Sequence, residues 1–194
     1  MKIKYLALVL SLLLVIFTGC AQQKDTEPSP SPTSQNTPTV TPGGTSPDVT
    51  TSASIVDNEA AFLKAVSSTG TWIICLTKDL NVSQDIVLAG EFKNGKKDEN
   101  GQDIIQRKIA LYTQDENRNI TNRFTLTAPK LTIESPKASI QHGTFKGDIY
   151  VSAKDFELVD ATVEGNIYFT NDDAKNTFKM DDKSKVTGVQ ELKK

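Results

Sequence analysis

The sequence predicts an all-β fold for the C-terminal part of the chain, residues 55–194. From residue 72 onward, short runs of β-branched and aromatic residues alternate with polar ones and are separated by Gly, Asn, Asp and Pro. A seven-residue motif recurs in this part after eighteen residues. Apolar residues at helical spacing occur only in residues 56–66, so we expect a single domain of many short strands and one short helix.

The composition indicates one modest domain and excludes several function classes. The chain has 194 residues, of which 37% are apolar and 7% aromatic. With 22 basic and 24 acidic side chains the net charge is -2, which provides no positive field for binding nucleic acid. Two cysteines, Cys20 and Cys75, and the single His142 exclude a disulfide framework, the usual zinc clusters and most histidine-based triads.

The N-terminus carries an export signal. Lys2 and Lys4 flank the start of an apolar run over residues 5–17, which a single serine interrupts. This run of 13 residues is shorter than the stretch of about 20 that spans a bilayer. It ends at Gly19 and Cys20, which predicts removal of residues 1–19.

The cleavage region resembles the lipobox of bacterial lipoproteins. Gly19 and Cys20 match it, whereas Phe17 and Thr18 depart from the preferred Leu and Ala or Ser. The resemblance implies that the thiol of Cys20 receives a diacylglyceryl group and that Cys20 becomes the new N-terminus. Two or more acyl chains anchor a protein stably, so the membrane is an expected partner. The alternative is an ordinary secretory signal that leaves Cys20 free.

Residues 20–54 are predicted to form a tether without a core. Between residues 21 and 54, 20 of 34 residues are Pro, Ser or Thr, and six of the eight prolines of the protein lie there. At about 3.1 Å per residue in polyproline II, this segment reaches up to roughly 100 Å. It serves either as a spacer through a cell wall or as a linker with no length requirement. We expect the anchored protein to lie on the outer face of the membrane in a Gram-positive type of cell envelope.

The predicted elements follow in chain order. Residues 56–66 form an amphipathic helix, with Asp57 as its N-cap and Gly70 shortly after its end. The candidate strands are residues 72–76, 86–88, 108–112, 124–127, 131–133, 149–151, 156–158, 167–169 and 178–180.

Internal repeats favour a solenoid. Residues 144–150 read TFKGDIY and residues 162–168 read TVEGNIY, while Gly188 repeats the glycine position. The triplets at residues 131–133, 156–158 and 178–180 are spaced by 25 and 22 residues. Such periods in a β-rich chain are typical of a solenoid, with glycines at its corners. We expect three strands per turn: the triplet, residues 138–140 or 161–163, and the Ile-Tyr segment. Short alternating strands alone also satisfy a β-sandwich.

The helix and residues 70–80 after it resemble the start of a right-handed parallel β-helix of the pectate-lyase type, in which a helix covers the first coil. The Gly-Asp/Asn-Ile-Tyr repeats are similar to those of bactofilins, which are small polymer-forming β-helical proteins. Neither resemblance includes a diagnostic motif. Together they imply a right-handed parallel β-helix with a short N-terminal capping helix, over residues 56–188.

Pectate lyases of this fold hold Ca²⁺ with carboxylates and remove a proton with a basic side chain, often arginine. The arginines of this domain are Arg107, Arg118 and Arg123. The segment from Arg118 to Arg123 matches the Arg-x-Pro-x-x-Arg pattern only loosely, because it lacks the proline. We count this as a departure from the lyase family.

Other candidate groups have plain structural interpretations. Asp172, Asp173, Asp181 and Asp182 lie where turns are expected, which favours local hydrogen bonding over calcium binding. His142 is predicted to be a corner residue rather than a general base.

Cys75 is predicted to be a buried, inert thiol, on the opposite strand face from Trp72, Ile74 and Leu76.

Tyrosines offer a candidate binding surface. If Ile149 and Ile167 point inward, Tyr150 and Tyr168 point outward and stack one coil apart. Such a pair suits the apolar face of a sugar, although an aromatic ladder that only stabilises the sheet explains it as well. Tyr112 is a third tyrosine of the domain.

Residues 91–107 read as a protruding loop or hairpin and are the next candidate for a partner-binding surface.

These observations predict a membrane-anchored surface lipoprotein that displays a non-catalytic β-helix for binding polysaccharide or for scaffolding. The predicted site residues are Cys20 for lipidation and Tyr150 with Tyr168 for the ligand, and no metal or cofactor is expected. A polysaccharide lyase or related carbohydrate enzyme, with calcium as its metal, is the alternative. Polymerisation through exposed coil ends is a third hypothesis.

Overall fold

The structure is a computed structural model that describes residues 53–193. The predicted signal peptide (residues 1–19), Cys20 and nearly all of the tether lie outside the described residues. Strands account for 48% and helices for 10% of the described part, which confirms the all-β class.

Strands dominate from the first described residues to the last. They are β1 (Ser54–Val56), β2 (Ile73–Leu76), β3 (Leu80–Asn81), β4 (Ile86–Leu88), β5 (Lys93–Lys97), β6 (Asp103–Ile105), β7 (Arg107–Ala110), β8 (Tyr112–Gln114), β9 (Ile120–Arg123), β10 (Thr125–Ile133), β11 (Ala138–Gln141), β12 (Thr144–Val151), β13 (Glu157–Val159), β14 (Thr162–Glu164), β15 (Ile167–Phe169), β16 (Lys179–Met180), β17 (Lys185–Val186) and β18 (Gln190–Leu192). The helices are α1 (Glu59–Val66) and α2 (Asp172–Thr177).

Two large sheets organise these strands. The first has the order β1-β2-β7-β11-β13-β16. In the second, β10 and β12 are long and pair with β3, β14 and β17 along one path and with β4, β15 and β18 along another. Every pairing within both sheets is parallel, unlike the antiparallel pairing of a β-sandwich. From β10 to β14, successive strands of the chain alternate between the two sheets, whereas β1 with β2, β3 with β4, β14 with β15, and β17 with β18 lie in the same sheet.

The core lies between the sheets and consists of side chains in register from strand to strand. Ile149 and Ile167 are direct partners and are completely buried, which confirms the predicted inward direction. Buried partners in the first sheet are Ile74, Ile109, Ile140 and Leu158. Phe62 and Val66 of α1 belong to the same cluster.

Glycine marks a corner where neighbouring backbones nearly touch. Gly147 has φ +136, and a Cβ added there would overlap the carbonyl oxygen of Ala128. Gly165 meets the carbonyl oxygen of Gly147 in the same way, and Gly188 meets that of Gly165. No side chain fits between these backbones, which accounts for the repeated glycine, although Gly147 lies within β12 rather than between strands.

Both helices differ from the sequence prediction. The first begins at Glu59, and its N-cap is Asn58, whose side chain accepts a hydrogen bond from the Ala61 amide at 2.9 Å. The predicted N-cap, Asp57, instead accepts a hydrogen bond from the Asn58 side chain. The second helix, α2, was not predicted because Ala174 is its one buried residue, which leaves no apolar period to detect.

The predicted equivalence of the three triplets is only half right. Leu158 of β13 pairs with Met180 of β16 in the first sheet, as the spacing of 22 predicts. Leu131 of β10, however, pairs with Ile149 in the second sheet. The expected equivalence of residues 138–140 and 161–163 is also wrong, since β11 and β14 belong to different sheets. These patterns look alike because either sheet buries alternate aliphatic residues.

Two antiparallel hairpins interrupt the parallel strands. Strands β5 and β6 form one, within the predicted protrusion of residues 91–107, and β8 with β9 forms the other. Arg107, at the start of β7, is fully buried, and its Nη2 donates to the carbonyl oxygens of Ala65 and Ser67 at 2.8 and 2.9 Å. Its guanidinium carbon lies 3.7 Å from the centre of the Phe92 ring, which fixes the first hairpin next to α1.

Candidate functional site

Tyr150 and Tyr168 lie side by side on the outer face of the second sheet. They are register partners on β12 and β15, their ring centres are 5.0 Å apart, and the ring planes are tilted by 44°. Both side chains are half-buried. The alternation of the strands puts them outside because Ile149 and Ile167 occupy the inside. The structure therefore brings together the two predicted ligand residues, hereafter the tyrosine pair.

The tyrosine pair belongs to a longer line of outward side chains, which we call the outer row. One residue from each of β4, β10, β12, β15 and β18 contributes to it, in direct register. Adjacent strands are about 4.8 Å apart, so the row crosses the sheet at that spacing. Its members are Val87, Thr132, Tyr150, Tyr168 and Glu191.

Two lysines approach the tyrosine pair. The Nζ of Lys193 lies 4.3 Å from the ring centre of Tyr168 and 5.6 Å from that of Tyr150. The same Nζ is 3.4 Å from the Tyr150 hydroxyl, a contact that raises the pKa of Lys193. The Nζ of Lys130 lies 5.9 Å from the Tyr150 ring centre and forms an ion pair with Asp85 at 2.5 Å.

This arrangement combines flat aromatic surface with charged groups. Two rings set on neighbouring parallel strands present apolar faces of the kind on which a sugar ring can pack, and their hydroxyls and the nearby lysines are hydrogen-bond donors.

A second group of polar side chains lies at a corner of the first sheet, and we call it the corner cluster: Tyr112, His142, Asp160 and Arg123. His142 adopts φ 60, and its Nδ1 lies 3.1 Å from Asp160 Oδ2. Arg123 Nη2 lies 2.6 Å from the same oxygen, and this hydrogen bond is the main cause that lowers the pKa of Asp160. Tyr112 meets the His142 ring edge to face, with centres 4.6 Å apart.

The corner cluster joins the second hairpin to the main sheets. Tyr112 and Arg123 are the first and last residues of the β8–β9 hairpin, whereas His142 and Asp160 stand on successive corners of the chain. Within residues 53–193, no serine, threonine or cysteine is hydrogen-bonded to His142, so no nucleophile completes a triad. The predicted corner position of His142 is confirmed by its positive φ between β11 and β12.

Cys75 faces away from Ile74 and Leu76, as predicted, but it is half-buried rather than buried. Burial raises the pKa of its thiol, and the nearby ammonium of Lys108 offsets part of that effect. Trp72 lies before β2, outside the strand in which it was predicted, and is half-buried. A thiol with a raised pKa is a weak nucleophile, in agreement with an inert role.

The β5–β6 hairpin forms one wall of a groove over the outer face of the first sheet. The groove has a volume of about 450 Å³. On the hairpin side, Asn94 Nδ2 donates to Gln106 Oε1 at 2.9 Å and braces the wall. The floor consists of register partners from β11, β13 and β16, namely Ser139, Glu157 and Lys179. The predicted protrusion is therefore an ordered hairpin.

The arginines of the domain and Asp181, which were candidates for lyase chemistry, make local structural contacts. Arg107 is buried against α1, Arg118 is a turn residue with φ 66, and Arg123 belongs to the corner cluster. Asp181 accepts hydrogen bonds from the Asp160 amide and from the Ser184 hydroxyl, so it supports a corner.

The other carboxylates considered as calcium ligands lie in a helix turn or at an exposed position. Asp172 and Asp173 stand in the first turn of α2, rather than in the turn that their sequence context predicts, and Asp182 is exposed beside Asp181. Within residues 53–193, His, Cys, Asp and Glu side chains form no group of three that could hold a metal ion.

Sequence reasoning missed several neighbours of these sites. Asp160 follows His142 by the same eighteen residues as the repeat, so the repeat spacing contained the signal for that pair. Lys193 belongs to no repeat. Lys130 directly follows the point in β10 where the register with β12 shifts. No pattern in the sequence identifies these two lysines as neighbours of the tyrosine pair.

Comparison with protein-family models, with curated proteins and with solved structures finds no match to this chain. Among the described residues, neither helix has the length and hydropathy that a membrane span requires.

Proposed function

We propose that this protein is a lipid-anchored surface protein whose β domain binds polysaccharide through the tyrosine pair. The observation that carries the proposal is the placement of two tyrosines in register on one outer sheet face, with ring centres 5.0 Å apart. Aromatic side chains supply large, rigid contact area at low cost in conformational entropy. The outer row continues this surface over five parallel strands, which suits a polymer better than a small molecule.

The domain that presents this surface is, in our proposal, a right-handed parallel β-helix with α1 as its N-terminal cap. Parallel pairing in both sheets, the repeated close approach of glycine backbones and the alternation of β10 to β14 between the two sheets support this architecture. The burial of Phe62 and Val66 in the common core supports a capping role for α1. A solenoid suits polymer binding because its stacked strands extend one flat surface.

The anchor rests on the sequence of the export signal. Cys20 follows Gly19 directly, at the position that a lipobox requires. Cys20→Ala therefore releases the protein from the membrane fraction or leaves it uncleaved, as a fractionation blot measures. Full membrane retention of a correctly cut Ala variant would sink this part of the proposal.

Affinity electrophoresis of the full chain in gels that contain different polysaccharides tests the binding function. We expect the double variant Tyr150→Ala with Tyr168→Ala to lose most of its retardation while its circular dichroism stays native. Tyr112→Ala is the matched control, because it removes a tyrosine from the corner cluster instead. Equal retardation of wild type and double variant on every retained glycan would reduce the pair to a structural ladder.

A further inference from the structure

The position of Lys193 over the tyrosine pair has a consequence for ligand choice. Its backbone amide donates to the carbonyl oxygen of Phe169 at 2.8 Å, which continues the pairing of β18 with β15 by one residue. The backbone thus directs this side chain toward the rings. Its ammonium group lies over the face of Tyr168, 4.3 Å from the ring centre, and reaches the hydroxyl of Tyr150.

This ammonium group stands where a sugar would pack. A cation within about 6 Å of an aromatic centre is attracted by the negative ring face. A neutral sugar that stacks on Tyr168 has to displace Lys193 and receives no compensating charge. A sugar that carries a carboxylate displaces it as well, but then pairs with the freed ammonium group at the edge of the platform.

The two lysines near the rings are not equivalent. Lys130 already has a carboxylate partner, Asp85, at 2.5 Å. Lys193 has no carboxylate within ion-pair distance among residues 53–193. Glu191 acts on it only at longer range, although it stands next to Tyr168 in the outer row. Lys193 is therefore the cation at this surface that a ligand anion reaches without breaking an existing ion pair.

We propose that Lys193 is a displaceable cover on the tyrosine pair that selects carboxylate-bearing polysaccharides over neutral ones. This inference rests on the proposed polysaccharide function and adds the ligand class and the residue that determines it. In the bound state the ring faces of the tyrosine pair hold the sugar, and the Lys193 ammonium group holds the carboxylate.

The test compares two polymers with the same β-glucan backbone, carboxymethyl cellulose and hydroxyethyl cellulose, by affinity electrophoresis of the full chain. Wild type is expected to bind the carboxylated polymer more tightly. Lys193→Ala lowers that affinity about threefold, as for an exposed ion pair, and raises the affinity for the neutral polymer. Lys193→Arg retains the wild-type preference because it keeps the cation. Lys97→Ala, which removes the same charge from the β5–β6 hairpin, leaves the preference unchanged.

The outcomes separate the two proposals. An unchanged ratio of the two affinities in Lys193→Ala, together with lost binding in the tyrosine double variant, overturns the role of Lys193 and keeps the platform. If Lys97→Ala reduces the preference for the carboxylated polymer as much as Lys193→Ala does, net charge explains the preference. That result also overturns the role of Lys193. Wild-type protein that binds neither polymer, or a tyrosine double variant that binds as well as wild type, contradicts the function and the inference together.

Discussion

The same five strands, β4, β10, β12, β15 and β18, carry two rows of side chains with opposite properties. The inner row is aliphatic and completely buried over its first four members, and the outer row mixes aliphatic, hydroxyl, aromatic and acidic groups. The inner row is Ile86, Leu131, Ile149, Ile167 and Gln190, and the outer row is Val87, Thr132, Tyr150, Tyr168 and Glu191. Each outer residue directly follows its inner neighbour in the chain, so burial alone restricts one row and leaves the other open to function.

The largest expected effect is a truncation in the inner row. Ile167→Ala should reduce the free energy of unfolding by about 2–5 kcal/mol, because it leaves a cavity in the core. Tyr168→Ala, one position further, should cost about 1 kcal/mol, mainly the ring contact with Tyr150. Urea titrations of both variants measure the difference. Equal shifts of the two midpoints would argue against the assignment of inner and outer faces.

A change at Gly147 should have the next largest effect, because two backbones approach each other closely there. Gly147→Ala should cost about 1–3 kcal/mol, since the new Cβ overlaps the carbonyl oxygen of Ala128 at φ +136. Gly101→Ala is the control, because Gly101 also has positive φ, +77, but open space around its Cβ position. If thermal unfolding shows the same loss of stability for Gly147→Ala and Gly101→Ala, the positive φ and not the close backbone approach determines the loss.

The inner row was more predictable from the sequence than the outer row. Alternation and the eighteen-residue repeat placed Ile149 and Ile167 inside and Tyr150 with Tyr168 outside, because burial leaves a periodic trace. The triplet spacing wrongly predicted that Leu131 is equivalent to Leu158 of the first sheet, because short aliphatic patterns look the same in either sheet. Lys193 could not be predicted, because its approach to the rings depends on how β18 pairs with β15.

Acid should weaken the corner cluster before it affects the buried inner row. Arg123 lowers the pKa of Asp160 below that of an unfolded carboxyl, about 3.9. The stabilisation is therefore complete above about pH 4 and is lost as the pH falls through the folded-state pKa. Asp160→Asn should flatten this part of the stability profile in urea titrations between pH 5 and pH 2. Asp182→Asn serves as the control, and an unchanged profile in Asp160→Asn would contradict the assignment.

The smallest effect is expected for an outer-face ion pair. Lys146 Nζ lies 3.0 Å from Glu164 Oε2, and about half of each side chain is exposed. Lys146→Ala should change the free energy of unfolding by less than about 0.5 kcal/mol, because water screens the pair. A double-mutant cycle with Glu164→Ala isolates the interaction, and a coupling as large as the Ile167→Ala loss would remove the expected contrast in stability between buried and exposed positions of the sheet.

An NMR titration of the full chain with carboxymethyl cellulose tests most directly whether the outer row binds ligand while the inner row only packs the core. We expect the ring resonances of Tyr150 and Tyr168 to shift with the added polymer, while the methyl resonances of Ile149 and Ile167 stay in place. Ring resonances that do not move, or shifts confined to the side chains of Asn94 and Gln106 in the hairpin groove, would contradict this expectation.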